Sequence, residues 1–148
     1  MPTIAMMREV PASPQSVWEV LADYPGMTKW AGARSVSIER AGTDVPAGVG
    51  TIRALRSWRG TLREEITAFE PGQRIGYSII SGLPVRDYRT LIELEPHKGG
   101  TRITWTVNFT PRALAAPVLP FAVKRVLNTI MDRLTEEVNS RTTTEAKG

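Results

Sequence analysis

Few side chains in this sequence could do chemistry, because its 148 residues include one histidine and no cysteine. Cysteine nucleophiles, disulfides and thiolate-bound metals are therefore excluded, as is a zinc site built from several histidines. His97 lies in the turn-like sequence PHKGG, where we expect it to be exposed and without a catalytic role. If the protein is an enzyme, proton transfer must use a buried carboxylate or tyrosine, and the candidates are Glu64, Asp87, Tyr77 and Tyr88.

Sequence motifs for other common chemistries are missing. There is no G-x-S-x-G motif, which excludes a hydrolase nucleophile elbow. No glycine is followed by Lys-Ser or Lys-Thr, so a nucleotide phosphate cradle has no support. The EF-hand loop pattern is also absent. We therefore expect no metal and no cofactor.

One pair of opposite charges stands out in the middle of the chain. If Arg59-Gly60 is a two-residue hairpin turn, Leu55 faces Glu64, and Arg53 lies diagonally from Glu64 on the same sheet face. Inside a cavity, such a pair could orient a ligand hydroxyl, or the carboxylate could act as a base with a perturbed pKa. On an exposed face, Arg53 would instead belong to a solvated basic edge with Arg56, Arg59 and Arg63. The sequence leaves both interpretations open.

The elements that must position these residues begin with a short strand, Thr3 to Val10, which Pro11 ends. Ser13 is a predicted N-cap and Pro14 the first residue of a short helix, with apolar residues at helical spacing through Tyr24. Pro25 and Gly26 interrupt it, and the sequence MTKWAG predicts one further turn.

The next part of the chain alternates with a period of two residues and predicts six strands. The clearest one places Ile103, Trp105, Val107 and Phe109 on a single face, which is typical of an antiparallel sheet with one dry side. The predicted strands are Ser35 to Ala41, Val49 to Trp58, Thr61 to Phe69, Gln73 to Ile80, Arg86 to Glu95 and Thr101 to Thr110.

The last third predicts one long amphipathic helix, from about Phe121 to Asn139, after a segment interrupted by prolines. We expect a single domain over residues 1–140 and a disordered tail over 141–148. Only this helix is long enough to cover the dry face of the sheet. The predicted fold is α+β: a seven-stranded antiparallel sheet wrapped around the long C-terminal helix, with two short helices after strand 1 and a pocket between sheet and helix.

Composition indicates a globular protein. The chain carries 19 basic and 15 acidic residues, a net charge of +4, and 41% hydrophobic residues. No apolar run approaches the roughly 18 residues of a membrane span. The N-terminus lacks the pattern of a secretory signal, so we expect a cytoplasmic location, as a monomer or homodimer.

Three segments carry a resemblance to a known family: VPASPQSVWEVLADYPGMTKW, ITAFEPGQRIGYSIISGLPVRDYR and GGTRITWTVNFTP. Together with the helix pattern, they resemble the START-like, or SRPBCC, superfamily with its helix-grip fold, and most closely its polyketide cyclase/dehydrase-like branch. The resemblance implies a largely hydrophobic cavity for a lipid, sterol, polyketide or isoprenoid-like ligand. It transfers no catalytic residue, because the polar groups inside the cavity differ between subfamilies.

The candidate ligand-binding residues face the predicted pocket or its rim. Trp30 and Trp58 lie at the expected rim, although Trp30 could equally pack under the sheet edge. The tyrosines and Trp105 suit an aromatic-lined pocket, or they could simply be core. The full candidate set is Trp30, Arg53, Leu55, Glu64, Ile66, Tyr77, Ile79, Tyr88, Ile92, Trp105, Phe121, Val123, Leu127 and Met131.

Three functions are compatible with this sequence. The first is a non-catalytic carrier that sequesters a small hydrophobic ligand. The second is a cofactor-independent cyclase or dehydratase that uses Glu64, Tyr77 or Tyr88. The third is a protein- or RNA-interaction module that uses the basic edge, although nucleic acid is not the expected partner because the arginines lack the aromatic pattern of RNA readers.

Overall fold

The computed structural model describes residues 3–83, 85–111 and 117–147, without the side chains of 111 and 143–147. Its elements follow the predicted order. They are β1 (Thr3–Val10), α1 (Pro14–Ala22), a 3₁₀ helix (Pro25–Lys29), β2 (Ser35–Arg40), β3 (Ile52–Ser57), β4 (Gly60–Glu70), β5 (Arg74–Ser81), β6 (Val85–His97), β7 (Gly100–Pro111) and α2 (Leu119–Lys147).

The seven strands form one antiparallel sheet in the order β1-β7-β6-β5-β4-β3-β2. The first strand therefore lies beside the last, with Val10 opposite Thr101. The predicted α+β helix-grip architecture is confirmed. Within the part of the chain that the structure describes, neither helix combines the length and the hydropathy needed to cross a membrane.

The entry into α1 is as predicted. The Ser13 hydroxyl accepts a hydrogen bond from the Ser16 backbone N–H at 3.1 Å, and Pro14 occupies the first turn, where it needs no N–H partner. The α1 helix ends at Ala22, and the second short helix is a 3₁₀ helix that begins at Pro25 rather than at Met27. Proline suits this first position because its φ is already helical.

The β3–β4 hairpin corrects the predicted turn. Ser57 pairs with Gly60, so the two turn residues are Trp58 and Arg59, and Gly60 closes the turn with a φ of +123°. The register consequently differs from the expected one, and Leu55 faces Leu62 while Arg53 faces Glu64 directly. A register change of two residues leaves every side chain on its predicted face.

The α2 helix continues beyond Asn139, where its end was predicted, as far as Lys147. The segment after residue 140, expected to be a tail, is thus helical up to that point. Arg141 explains why the helix is longer than predicted. Its guanidinium pairs with Glu137, one turn earlier in α2, and with Asp23, the residue that follows α1, each at 3.0 Å. The pair with Glu137 supports the helix itself, and the pair with Asp23 holds this part of α2 against the end of α1.

The core lies between the concave face of the sheet and the two helices. Most of its largest fully buried side chains come from β4, β5, β7, α1 and α2. The predicted amphipathic character of α2 is confirmed, with Val123, Leu127, Met131, Leu134 and Val138 buried. Val126, also apolar, is 48% exposed.

Candidate ligand-binding cavity

A cavity of about 320 Å³ lies between the sheet and the helices. This volume is near the lower end of the roughly 300–1,000 Å³ typical of small-molecule sites. The wall is mostly apolar and draws on α1, the 3₁₀ helix, strands β3 to β7 and the first half of α2. It is formed by Leu21, Met27, Trp30, Ala31, Arg53, Leu55, Arg59, Leu62, Glu64, Ile75, Tyr77, Ile79, Leu83, Tyr88, Ile92, Trp105, Leu119, Ala122, Val123, Val126, Leu127 and Ile130.

Most of the candidate residues lie on this wall, but three do not. Ile66 and Met131 are fully buried in the core beside the cavity. Phe121 is 77% exposed and points away from the cavity, because it precedes the buried position Val123 by two residues, about half a helical turn. Asp87, a candidate acid or base, is exposed in an irregular part of β6 with a φ of +51° and is not part of the wall.

Arg53 and Glu64 form an ion pair in the wall of the cavity. Each residue is only 3% exposed. Arg53 Nε and Nη2 donate to the same carboxylate oxygen, Glu64 Oε1, at 2.8 and 2.7 Å. The alternation along β3 and β4 places both side chains on the concave face, so the cavity interpretation of this pair is the one that the structure adopts and the exposed-edge interpretation is excluded.

Two tyrosine rings enclose the Arg53 guanidinium. Its central carbon lies 4.8 Å from the ring centre of Tyr24 and 4.9 Å from that of Tyr77. Both distances are within the range of a cation–π interaction, which is stronger when the cation is desolvated. The Tyr24 hydroxyl donates to the Ala47 carbonyl at 2.6 Å, and this bond holds its ring in place. The arginine is thus fixed by a carboxylate and two aromatic faces.

Burial changes the acid–base properties of these groups. It raises the pKa of Glu64 above its ordinary value of 4.5, and the adjacent Arg53 partly opposes that shift. Burial also raises the pKa of Tyr24 to about 12 and the pKa values of Tyr77 and Tyr88 above 10. The negative charge of Glu64 adds to the shift for all three tyrosines. At neutral pH, Tyr77 and Tyr88 therefore keep their protons and can serve as hydrogen-bond donors rather than as bases.

Two tryptophans in contact with each other form part of the cavity wall. Trp30, which ends the 3₁₀ helix, and Trp105, on β7, are each 2% exposed and meet edge to face, with ring centres 6.4 Å apart. Of the two alternatives for Trp30, packing under the sheet is the one observed. Among the residues that the structure describes, neither indole N–H has a hydrogen-bond partner.

The hairpin tip and the single histidine lie outside this polar centre. Trp58 is 78% exposed and has the Arg59 guanidinium 5.0 Å above its ring. His97 was expected to be exposed, but it is partly buried and its Nε2 lies 3.0 Å from Glu9 Oε1 on β1. This contact follows from the β1–β7 pairing, which brings Glu9 beside the β6–β7 turn.

Sequence reasoning missed the contribution of the short helices to the wall. Leu21, Met27 and Ala31 line the cavity, and Tyr24 packs on Arg53. The apolar spacing of Leu21 and Tyr24 on α1 is a signal for a buried face, but it does not say that part of this face borders a cavity. Arg59, expected on the solvated edge, reaches the cavity mouth from the hairpin turn.

Comparison with known proteins identifies the class. The family model described as polyketide cyclase/dehydrase and lipid transport matches residues 1–139, so the chain belongs to this family. The predicted membership of the SRPBCC superfamily, in its polyketide cyclase-like branch, is thereby confirmed.

Solved structures share the fold at low sequence identity. A Thermobifida fusca protein has a TM-score of 0.78 at 19% identity, with 95% of each chain covered. The protein XoxI from Bacillus cereus has a TM-score of 0.76 at 19% identity, covering 93% of this chain and 96% of its own. Ara h 8.0201 has a TM-score of 0.75 at 19% identity, covering 94% and 98%. A comparison with curated proteins gives no match.

Proposed function

We propose that this protein is a non-catalytic carrier, expected in the cytoplasm, that sequesters a small hydrophobic ligand in the cavity between the sheet and α2. The observation that carries this proposal is the apolar wall enclosing about 320 Å³, with one charge-neutral polar pair inside. Burial of apolar ligand surface, at about 25 cal/mol per Å², would supply most of the affinity. The modest volume favours a compact ligand over a long-chain lipid.

The Arg53–Glu64 pair gives the ligand an orientation. Both Arg53 contacts go to Glu64 Oε1, so Oε2 is the carboxylate oxygen better placed to accept a ligand hydroxyl. The tyrosine hydroxyls of the wall are further donors, because they keep their protons at neutral pH. A few convergent polar groups in an apolar wall are the usual pattern of a small-molecule site.

Two neighbouring residues of β5 allow a matched test. Ile79 lines the cavity, whereas Ile80 lies on the other face of the sheet and is 45% exposed. Ile79→Trp should fill the cavity and Ile80→Trp should not. Native mass spectrometry of protein purified from its own host should show a bound lipophilic molecule in the wild type and in Ile80→Trp, and none in Ile79→Trp.

A fluorescent reporter of apolar sites, the amphipathic anion 1-anilinonaphthalene-8-sulfonate, gives a second readout. We expect its emission to rise with the wild type and with Ile80→Trp, and at least tenfold weaker binding to Ile79→Trp. A clean apo mass together with equal probe binding by all three proteins would rule out the carrier function.

A second candidate function rests on one observation, the Glu64 carboxylate inside the cavity with a raised pKa. It is a cyclase or dehydratase reaction in which Glu64 acts as acid or base and a protonated tyrosine donates a hydrogen bond. Glu64→Gln, Tyr77→Phe and Tyr88→Phe test this function. If none of them slows turnover of a substrate found by the ligand search, these residues are not catalytic.

A further inference from the structure

The cavity opens to the surface between three segments: the tip of the β3–β4 hairpin, the residues after β5 and the first turns of α2. Arg59, Leu83 and Val126 line the cavity from these segments and are exposed or partly exposed. Other large apolar side chains at the hairpin tip and at the start of α2 are exposed as well. We call the exposed apolar group the rim patch, and it consists of Trp58, Val118, Phe121 and Val126. Single exposed apolar residues are common, but several around one opening mark an interaction site.

The cations of these three segments have no acidic partners. Arg59, Arg86, Lys124 and Arg125 are exposed, and none of them forms an ion pair within the part of the chain that the structure describes. The same segments contribute one acidic residue, Asp87. The mouth of the cavity is therefore a basic surface that also exposes apolar side chains.

The start of α2 arranges apolar and basic side chains along one face. Val118 already belongs to the first helical turn, since its carbonyl accepts the Ala122 N–H at 3.1 Å. Phe121, Lys124 and Arg125 follow at spacings of three and four residues, which places them on the same side of the helix. At a rise of about 1.5 Å per residue, the cations lie about 5 Å behind Phe121. The apolar side chains can therefore enter an apolar layer while the two cations remain at its polar boundary.

We propose that the rim patch docks on an anionic lipid bilayer, with its apolar side chains in the interfacial layer and Lys124 and Arg125 beside lipid phosphates. The inference goes beyond the proposed function, because a surface can bind a bilayer whatever the cavity holds. Docking in this orientation places the cavity mouth against the bilayer. A small apolar molecule dissolved in the bilayer then reaches the cavity without crossing water.

The composition of the patch favours a lipid surface over RNA or protein. Aromatic side chains beside lysine and arginine are typical of the membrane–water interface. RNA binding uses flat aromatic faces, whereas Val118 and Val126 are aliphatic and the Arg59 guanidinium already lies 5.0 Å from the ring centre of Trp58. Protein interfaces are depleted in lysine. An anionic bilayer is the partner that uses both the aliphatic and the cationic residues.

Vesicle binding tests the proposal. The full chain is titrated with vesicles of equal parts phosphatidylcholine and phosphatidylglycerol, and with vesicles of phosphatidylcholine alone. We expect at least about tenfold tighter binding to the anionic vesicles, and weaker binding as salt screens the attraction. Trp58 reports insertion, since the other three tryptophans are buried. Its emission should move to shorter wavelength, and lipids with brominated acyl chains should quench it.

Two double variants separate the apolar and basic contributions. Trp58→Ala with Phe121→Ala should weaken vesicle binding at least about tenfold, because two large side chains no longer leave water. Lys124→Gln with Arg125→Gln should weaken binding to the anionic vesicles about 30-fold, the ratio expected for two cations at such a surface.

Matched controls remove the same kinds of side chain away from the mouth. Met7→Ala with Val49→Ala removes exposed apolar side chains on β1 and in the loop before β3. Lys98→Gln with Arg133→Gln removes two exposed cations that, among the described residues, also have no ion pair. Both controls should bind vesicles within about threefold of the wild type, because distant charges are screened.

Three results overturn the inference. The first is no binding to anionic vesicles, or equal losses in the rim and control variants. The second is tighter binding to polyuridylate than to vesicles, lost in the Lys124→Gln, Arg125→Gln variant, which assigns the surface to RNA. The third is a dimer in sedimentation that the Trp58→Ala, Phe121→Ala variant dissociates, with no quenching by brominated lipids, which assigns the patch to a second copy of the chain.

The carrier function is tested separately. Ile79→Trp fills the cavity but leaves the rim patch in place, so it should bind vesicles as the wild type does. Failure of vesicle binding with the ligand retained overturns only the docking inference, and the reverse result overturns only the carrier function.

Discussion

Two arginine–glutamate pairs that both use β4 have the same chemistry and opposite surroundings. Arg53 and Glu64 meet on the concave face of the sheet, where both are buried. Arg63 and Glu39 meet on the convex face, where Arg63 Nη2 lies 2.6 Å from Glu39 Oε2 and both side chains are partly exposed. Glu64 and Arg63 are adjacent in sequence, so the alternation of β4 alone separates a polar centre in the cavity from a surface ion pair.

The surroundings shift the pKa values of the two glutamates in opposite directions. Burial raises the pKa of Glu64 despite its arginine partner, whereas the hydrogen bond from Arg63 lowers the pKa of Glu39. Near water, the charged partner dominates because desolvation is slight. In the cavity wall, desolvation dominates. Short distances alone therefore do not distinguish the two pairs, and burial does.

The largest expected difference between the two pairs is in stability. Arg53→Met leaves the Glu64 carboxylate buried without a counter-charge and should lower the free energy of unfolding by about 3–5 kcal/mol. Arg63→Met leaves Glu39 in contact with water and should produce only a small change. Urea unfolding of both variants at pH 7 measures the two effects.

The cause of that difference is checked by removing both buried charges. Arg53→Met with Glu64→Leu should recover most of the stability lost in Arg53→Met, because no unpaired charge remains. If the double variant is as unstable as the single one, lost packing rather than an unpaired charge explains the effect.

A smaller effect should come from the aromatic support of the buried pair. Tyr24→Phe keeps the ring over Arg53 but loses the hydrogen bond to the Ala47 carbonyl, at an expected cost of about 1 kcal/mol. Tyr24→Leu also loses the cation–π contact, which should cost a further amount of about 0.5–2 kcal/mol. Thermal or urea unfolding separates the two, and equal stabilities would show that the ring contributes no cation–π stabilisation.

The smallest predicted effect is the pH dependence, which should have opposite signs for the two glutamates. Since the folded pKa of Glu64 is raised, its contribution to stability is present below 4.5 and is lost as pH rises through the folded pKa. Since the folded pKa of Glu39 is lowered, its contribution is present above 4.5 and is lost as pH falls through the folded pKa.

Glutamine variants separate these contributions. Glu64→Gln should remove the decline in stability above pH 4.5, and Glu39→Gln should remove part of the decline below it. Urea unfolding from pH 3 to 8, with carboxyl ¹³C titration of the wild type, measures both. A Glu64 carboxyl that titrates below 4.5 would contradict the desolvation argument.

Much of the fold could be predicted from the sequence because its local signals agree. Ser13 and Pro14 define the start of α1, and the period-two alternation of residues such as Ile103 and Trp105 defines β7. The sequence could not decide whether the sheet face that carries Arg53 and Glu64 is buried or exposed, and the reason is physical. A strand pattern shows which residues share a face, but not which face is covered.

The remaining differences arise from tertiary contacts and from one glycine. Gly60 was predicted as one of the two central turn residues, but with its positive φ it follows them and pairs with Ser57. The predicted β3–β4 register was therefore wrong by two residues. Tyr24 reaches Arg53 only after α1 has folded against the sheet, and the hydrogen bond to Ala47 spans 23 positions in the sequence. The ion pair of Arg141 with Asp23 extends α2 in a way that helix periodicity does not encode.

The pairing of the first strand with the last also has a consequence for synthesis on the ribosome. β1 lies at the edge of the described sheet beside β7, and the Thr101 hydroxyl binds the Ala12 carbonyl across 89 positions. During synthesis, β1 cannot pair until β7, the last strand of the sheet, has left the ribosome. Such long-range closure slows folding and leaves a strand edge open to misassembly in the nascent chain.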